Sequence, residues 1–128
     1  MNGSILVVDD DPFSVVLTTT VIECMNVRFS LGSARNGKEA LDIVLDSVTQ
    51  FPLLILLDLN MPVMDGFEFL EALESLHLDK PVYTAVLTSS IDENDVIKAR
   101  SYNIVDYIEK PLTSDKMREV INKTIDNP

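Results

Sequence analysis

The chain has 128 residues, 46% of them apolar and 24% charged, with 10 basic against 21 acidic side chains and a formal charge of −11. That length permits one domain with a proper core and is short for two, so residues 1–128 are read as a single domain. The acidic balance argues against nucleic-acid binding, which needs lysine and arginine to neutralise phosphates; Lys98 and Arg100 are too few to form a basic patch.

The longest aliphatic run, Leu53 to Leu57, falls far below the ~20 residues a membrane helix requires. The opening "MNGSILVVDD" lacks the basic and apolar regions of a signal peptide. Cys24 is the only cysteine, which excludes an internal disulfide and suits a reducing cytoplasm.

In chain order, the first apolar run is "ILVV" (Ile5–Val8), followed by an Asp11–Pro12 pair that reads as a helix cap with proline at the first helical position. Phe13, Val16, Leu17, Thr20, Val21 and Cys24 then follow helical spacing, so this stripe is expected to face the core. A second strand is predicted at "VRFSL" (Val27–Leu31), where Arg28 and Ser30 alternate with apolar residues as on an edge. A capping pattern at Asn36–Glu39 opens a second helix, with Ala40, Leu41, Val44, Leu45 and Val48 on one stripe.

"LLILL" (Leu53–Leu57) is apolar at every position, as expected of a central strand covered on both faces. Asp65–Glu68 caps a third helix carrying Phe69, Leu70, Leu73 and Leu76; Met61 and Met64 fill the loop and core before it. "VYTAVL" (Val82–Leu87) predicts a fourth strand. Residues 92–102 make a weak helix with only Val96 and Ala99 facing inward. "IVDYI" (Ile104–Ile108) predicts a fifth strand, and Thr113–Asp115 caps a last helix with Met117, Val120, Ile121 and Ile125 inside.

Alternating strands and helices imply parallel strands joined by right-handed crossovers. The expected fold is a doubly wound α/β domain with five helices and a five-stranded sheet of order 2-1-3-4-5. Ligands in such sheets bind beyond the carboxyl ends of the strands, beside the point where strand order reverses. Those ends carry "DDD" (Asp9, Asp10, Asp11), Asp58, "TSS" (Thr88, Ser89, Ser90) and "EKP" (Glu109, Lys110, Pro111). Asp11 is assigned to capping, and Asp9, Asp10 and Asp58 to chemistry.

Two carboxylates ~5 Å apart repel by ~3 kcal/mol at an effective dielectric near 20. A third carboxylate calls for protonation or a cation. Oxygen-only donors suit Mg²⁺, with the backbone carbonyl of Asn60 as a further ligand. Lys110 would balance one charge and pair with a phosphoryl group, and Thr88 would donate to one of its oxygens. Such a set suits phosphoryl transfer onto Asp58, with a labile product that water can reset.

The pieces "ILVVDDDP", "ARNGKEAL", "DLNMPVMDG", "LTSS" and "DYIEKP", in this order and spacing, resemble the receiver domain of two-component response regulators over essentially the whole chain. The resemblance implies Asp58 as phosphoacceptor and Asp9 and Asp10 as the metal-binding pair. It also implies Thr88 and Tyr107 as switch residues, Lys110 as the family's lysine, and a cis bond before Pro111.

It further implies a histidine kinase or histidine phosphotransfer protein as phosphodonor, a protein target that the sequence does not identify, and no conventional turnover activity. His77, without a metal-spaced companion, is read as a solvated surface residue. Ser89 stands where the family commonly has a smaller residue, Asn103 where it has glycine, and Pro81 lies further from Thr88 than is usual. Asn103 is expected to take the left-handed conformation of a helix end.

A stand-alone receiver and a receiver module of a larger regulator or hybrid kinase are both compatible with this sequence. A phosphatase or flavin binder on a similar fold fits less well. Asn60 stands where a dehalogenase-like phosphatase would have a second aspartate, and three aspartates stand where a flavodoxin would have a hydroxyl-rich loop.

Overall fold

A computed structural model describes residues 3–126. Five parallel strands alternate with five helices: β1 (Ser4–Val8), α1 (Pro12–Cys24), β2 (Ser30–Ala34), α2 (Gly37–Leu45), β3 (Leu53–Leu57), α3 (Gly66–Ser75), β4 (Val82–Thr88), α4 (Glu93–Arg100), β5 (Asp106–Glu109) and α5 (Ser114–Lys123). The sheet order is β2-β1-β3-β4-β5, as expected, with the reversal between β1 and β3. No helix among the described residues is long and apolar enough to cross a membrane.

Side-chain alternation divides the core into two layers. Ile5, Val7, Leu54 and Leu56 face Ile22 of α1 and Met117, Val120 and Ile121 of α5. Leu6, Val8, Leu53, Ile55 and Leu57 face Ala40 and Val44 of α2 and Phe69 and Leu70 of α3. The central strands are therefore buried on both sides. A smaller cluster of Leu59, Val86 and Ala99, with Phe67, Ile104 and Tyr107 packed against it, supports α4.

Caps start the helices where the sequence placed them. Asp11, Asn36, Asp65 and Thr113 each accept a hydrogen bond from a first-turn backbone N–H, and Asp92 does the same for α4. At Asp65–Glu68 the capping box is complete. The Glu39 carboxylate instead accepts from the Arg35 backbone and guanidinium.

Five expectations are corrected. The second strand lies at Ser30–Ala34 rather than Val27–Leu31, in register with Ser4–Val8. Val27 and Phe29 are half-buried against the α1/α5 layer without joining the ladder. The strand must end at Ala34 because the Asn36 cap follows at once.

Most of the stripe predicted on α1 faces outward, although Val21 packs against the core. Phe13, Val16 and Leu17 are 70%, 59% and 47% exposed, and Cys24 is exposed as well, while Ser14, Thr18 and Ile22 are buried. Apolar residues occur all round this helix, so its rotation follows from the small Ser14 and Thr18 fitting against the sheet. Leu45 and Val48, expected inside, are also exposed, since α2 ends at Leu45.

Asn103 does not adopt positive φ; its N–H donates to the Glu74 carboxylate at 2.9 Å. The left-handed positions at helix ends are Asn26 and His77, with φ of 57° and 47°. The last strand also begins later than expected, at Asp106.

Val63, in the loop between β3 and α3, has φ 68° and is exposed. A β-branched side chain in this region costs roughly 1–2 kcal/mol, whereas asparagine tolerates it. Val63→Asn is expected to raise the urea midpoint by the equivalent of about 1 kcal/mol with an unchanged slope. A lower midpoint would contradict the strain assigned to this loop.

Candidate functional site

The carboxyl ends of β1 and β3 lie side by side, with Val8 paired to Leu57, so Asp9 and Asp58 leave the sheet as neighbours. The Asp58 N–H donates to the Val8 carbonyl at 2.9 Å, and the Asp9 N–H donates to the Ala34 carbonyl at 3.0 Å. Both aspartates are therefore held by backbone that the sheet makes rigid. Both are buried, whereas Asp10 is exposed. One carboxylate oxygen from each of the three lies within 4.8 Å of the others.

Lys110, at the end of β5, closes the site. Its Nζ donates to Asp9 Oδ2 at 2.7 Å and to Asp58 Oδ2 at 3.0 Å. Burial alone would pull the ammonium below its usual range, but the hydrogen bonds and charges of Asp58 and Asp9 outweigh it and hold the pKa raised. The stability from these pairs is therefore present through the neutral range and lost only as pH rises past that elevated value. The remaining oxygens are also engaged: Asp9 Oδ1 accepts from the Asp11 N–H at 3.0 Å, and Asp58 Oδ1 from the Leu59 N–H at 2.7 Å.

Gly66 explains how α3 comes so close. A Cβ there would sit 2.5 Å from the Asp58 carbonyl oxygen and 2.8 Å from Leu59 Cα. The Gly66 N–H donates to the Leu59 carbonyl at 2.9 Å, drawing the helix start onto the loop that follows Asp58.

Thr88 ends β4 and is fully buried; its Oγ1 accepts from the Ser90 N–H at 3.3 Å, and its carbonyl accepts from the Lys110 N–H at 2.9 Å. Tyr107 on β5 donates its hydroxyl to the Ser90 carbonyl at 3.0 Å. Burial is the main cause holding that phenol above its usual pKa, with the charges of Asp95, Asp92 and Asp58 adding to it. Ser90, to which the sequence assigns no role, links these groups. Its Oγ donates to Asp95 Oδ2 on α4 at 2.6 Å and accepts from the Asp92 N–H at 3.4 Å. The "TSS" tripeptide at a strand end was the available signal.

The structure thus brings together Asp9, Asp10, Asp58 and Lys110, with Thr88 and Tyr107 joined through Ser90. Asn60 lies exposed in the loop two residues after Asp58, and Ser89 is exposed. The Lys110–Pro111 bond is cis.

The three-oxygen cluster fits a hard divalent cation. Metal–oxygen bonds of about 2.0–2.1 Å place adjacent ligand oxygens roughly 3 Å apart, within reach of small carboxylate rotations. The acidic cluster is thus consistent with a Mg²⁺ site.

The profile of the response regulator receiver domain matches residues 5–122. The chain belongs to that family, whose domains receive phosphoryl groups in two-component signalling. It is 28% identical to a two-component response regulator from Cytophaga hutchinsonii, with a TM-score of 0.80 over 98% of each chain. It is 37% identical over 115 residues to a protein-glutamate methylesterase/protein-glutamine glutaminase of Moorella thermoacetica, covering 88% of this chain and 26% of that protein. It is 27% identical to the probable methanogenesis regulatory protein FilR2 of Methanothrix harundinacea, covering 93% of this chain and 79% of that one. The chain spans about a quarter of the length of the methylesterase and of the Klebsiella oxytoca regulator ZraR, which it also matches.

Neutralising the acidic cluster links cation binding to folding. Millimolar Mg²⁺ is expected to raise the thermal midpoint, and Asp10→Asn, which removes one donor, to shrink that shift. An equal shift in both proteins would place the cation elsewhere.

Proposed function

We propose that the chain is a single receiver domain, spanning residues 1–128, that acts as a phosphorylation-controlled switch in the cytoplasm. The observation that carries this reading is the Lys110 ammonium shared by Asp9 and Asp58 at the reversal point of the sheet. An Asp58 carboxylate oxygen attacks the phosphorus of a phosphohistidine on a kinase or phosphotransfer protein. The new P–O bond replaces the P–N bond, whose electron pair returns to the imidazole.

Asp9, Asp10, Asp58 and the Asn60 carbonyl would hold Mg²⁺, which when bound offsets charge on the phosphoryl oxygens. Lys110 passes from the Asp58 carboxylate to a phosphoryl oxygen. The Thr88 hydroxyl accepts from Ser90 and so keeps its own proton free to donate to another. Tyr107 and the segment after β4 are joined through the Ser90 carbonyl, so movement at Thr88 shifts both. The chain is a phosphoacceptor rather than a turnover enzyme, and the esterase or glutaminase named for its Moorella relative is not assigned to it. The same chemistry serves a domain standing alone or one joined to others.

The exposed face of α1 suits the phosphodonor. Val16 lines one cavity with Asp9 and Asp10, and Leu17 lines another with Lys110 and Pro111, so apolar surface adjoins the acid site. Exposed apolar groups at this density mark protein contacts. Their outward rotation on α1 leaves the partner a surface beside Asp58 without disturbing the core.

Two variants separate the chemistry from the docking. Acetyl phosphate with Mg²⁺ is expected to add one phosphoryl group by intact mass, and Asp58→Asn to abolish it. Val16→Asp is expected to leave that labelling unchanged and to slow transfer from a phosphohistidine partner about tenfold, as for loss of a modest interface contact. Labelling of Asp58→Asn at the original rate would overturn the phosphoacceptor; transfer to Val16→Asp at full rate would overturn the docking face.

A further inference from the structure

We infer that the free edge of β2 is a self-association surface, on which a second copy of this chain pairs antiparallel about a two-fold axis to form a continuous ten-stranded sheet. The two edges of the sheet differ in protection. β5 presents Asp106, which is paired with Lys116 and Lys123, and Glu109. Charges on an edge strand oppose strand addition. β2 reads Ser-Leu-Gly-Ser-Ala, with neither charge nor proline.

The backbone of β2 has groups to offer. The Ser30 N–H is spent on the Gly3 carbonyl, and the Ala34 carbonyl accepts from Asp9, so these residues turn toward β1. Alternation along a strand turns the N–H and C=O of Leu31 and Ser33 outward. Among the described residues no donor or acceptor engages those four groups.

An antiparallel pairing centred on Gly32 matches this pattern. Leu31 falls opposite Ser33 of the second copy, and Ser33 opposite its Leu31. Each pair exchanges two bonds, so all four groups of each copy are satisfied. The two Gly32 residues meet at a non-hydrogen-bonded position, where strands approach most closely.

Gly32 has no visible role within its own chain. Its φ lies outside the left-handed region, and an added Cβ would meet only Leu6 Cδ1, at an ordinary 3.9 Å. Glycine inside a strand often marks the close approach of another backbone. The β2 edge also borders a cavity of about 280 Å³ lined by Gly32, Ser33, Ile43, Val48 and Leu53 among others, none of its lining residues charged. Val48, 79% exposed, stands at its rim as apolar surface for the second copy to cover.

A two-fold axis makes the interface closed and self-complementary, which limits assembly to a dimer. The formal charge of −11 per copy opposes association, so added salt should strengthen it.

Sedimentation of the full chain, from low micromolar to millimolar concentration and at low and high salt, tests the inference together with amide exchange. The expected result is a species of twice the monomer mass that grows with concentration and with salt, and exchange slowed selectively at Leu31 and Ser33. Ser33→Lys puts charge on the edge, and Ser33→Pro removes only an outward N–H. Each is expected to weaken association at least about tenfold while retaining the monomer's circular dichroism.

Three results would overturn the inference. The chain could stay monomeric throughout, even if the edge captures an extended peptide. The dimer could be undiminished in both variants. Or protection could be confined to α4, β5 and α5.

Discussion

One ammonium group holds the functional end of this protein together. Lys110 reaches from the last strand to Asp9 and Asp58, at 2.7 and 3.0 Å, and so ties the ends of β1, β3 and β5 at a single point. Three carboxylates gathered within 4.8 Å would otherwise drive those ends apart. One positive charge cannot neutralise three negative ones. The residual negative charge makes the rim consistent with a site for a divalent cation.

The fold supplies the precision this interaction needs. β3 is buried along its whole length, so Asp58 emerges from a strand packed on both faces. Gly66 lets α3 press against the Asp58 backbone, and the Asp65–Glu68 box fixes where that helix starts. On the opposite side of the rim the scaffold loosens. Only Ala99 of α4 is fully buried, and the helix is tied to β4 through Ser90, whose neighbours are Thr88, Tyr107, Asp92 and Asp95. Rigid acids beside a lightly anchored helix are what a switch requires, since a local charge change must bias an element with few contacts to lose.

The parts of this arrangement that depend on local chemistry were legible in the sequence. Leu53–Leu57 was readable to the residue because an unbroken aliphatic run ends sharply on aspartate, and the strand order followed from alternation together with the apolar central runs and the edge-like second run. The caps at Asp11, Asn36, Asp65 and Thr113 were readable for the same reason. What depends on tertiary fit was not. α1 has apolar residues on every side, so periodicity chose the face that the structure exposes. β2 is composed of small residues apart from Leu31 and is defined by its pairing with β1, while the more strand-like Val27–Leu31 run mostly precedes it. Asn103 was expected to take a left-handed turn because it stands where the family has glycine, but a hydrogen bond to Glu74, 29 residues away, shapes that connection instead.

The central claim is that Lys110, Thr88 and the acid cluster converge on a phosphoryl group carried by Asp58. A crystal structure of the chain with Mg²⁺ and beryllofluoride, a phosphoryl mimic, tests it most directly. The account predicts the mimic on an Asp58 oxygen, with Lys110 Nζ and Thr88 Oγ1 each within hydrogen-bonding distance of a fluorine and the cation bound between Asp9 and Asp10. A mimic bound away from Asp58, or one on Asp58 with Lys110 still bridging the two aspartates, would contradict it.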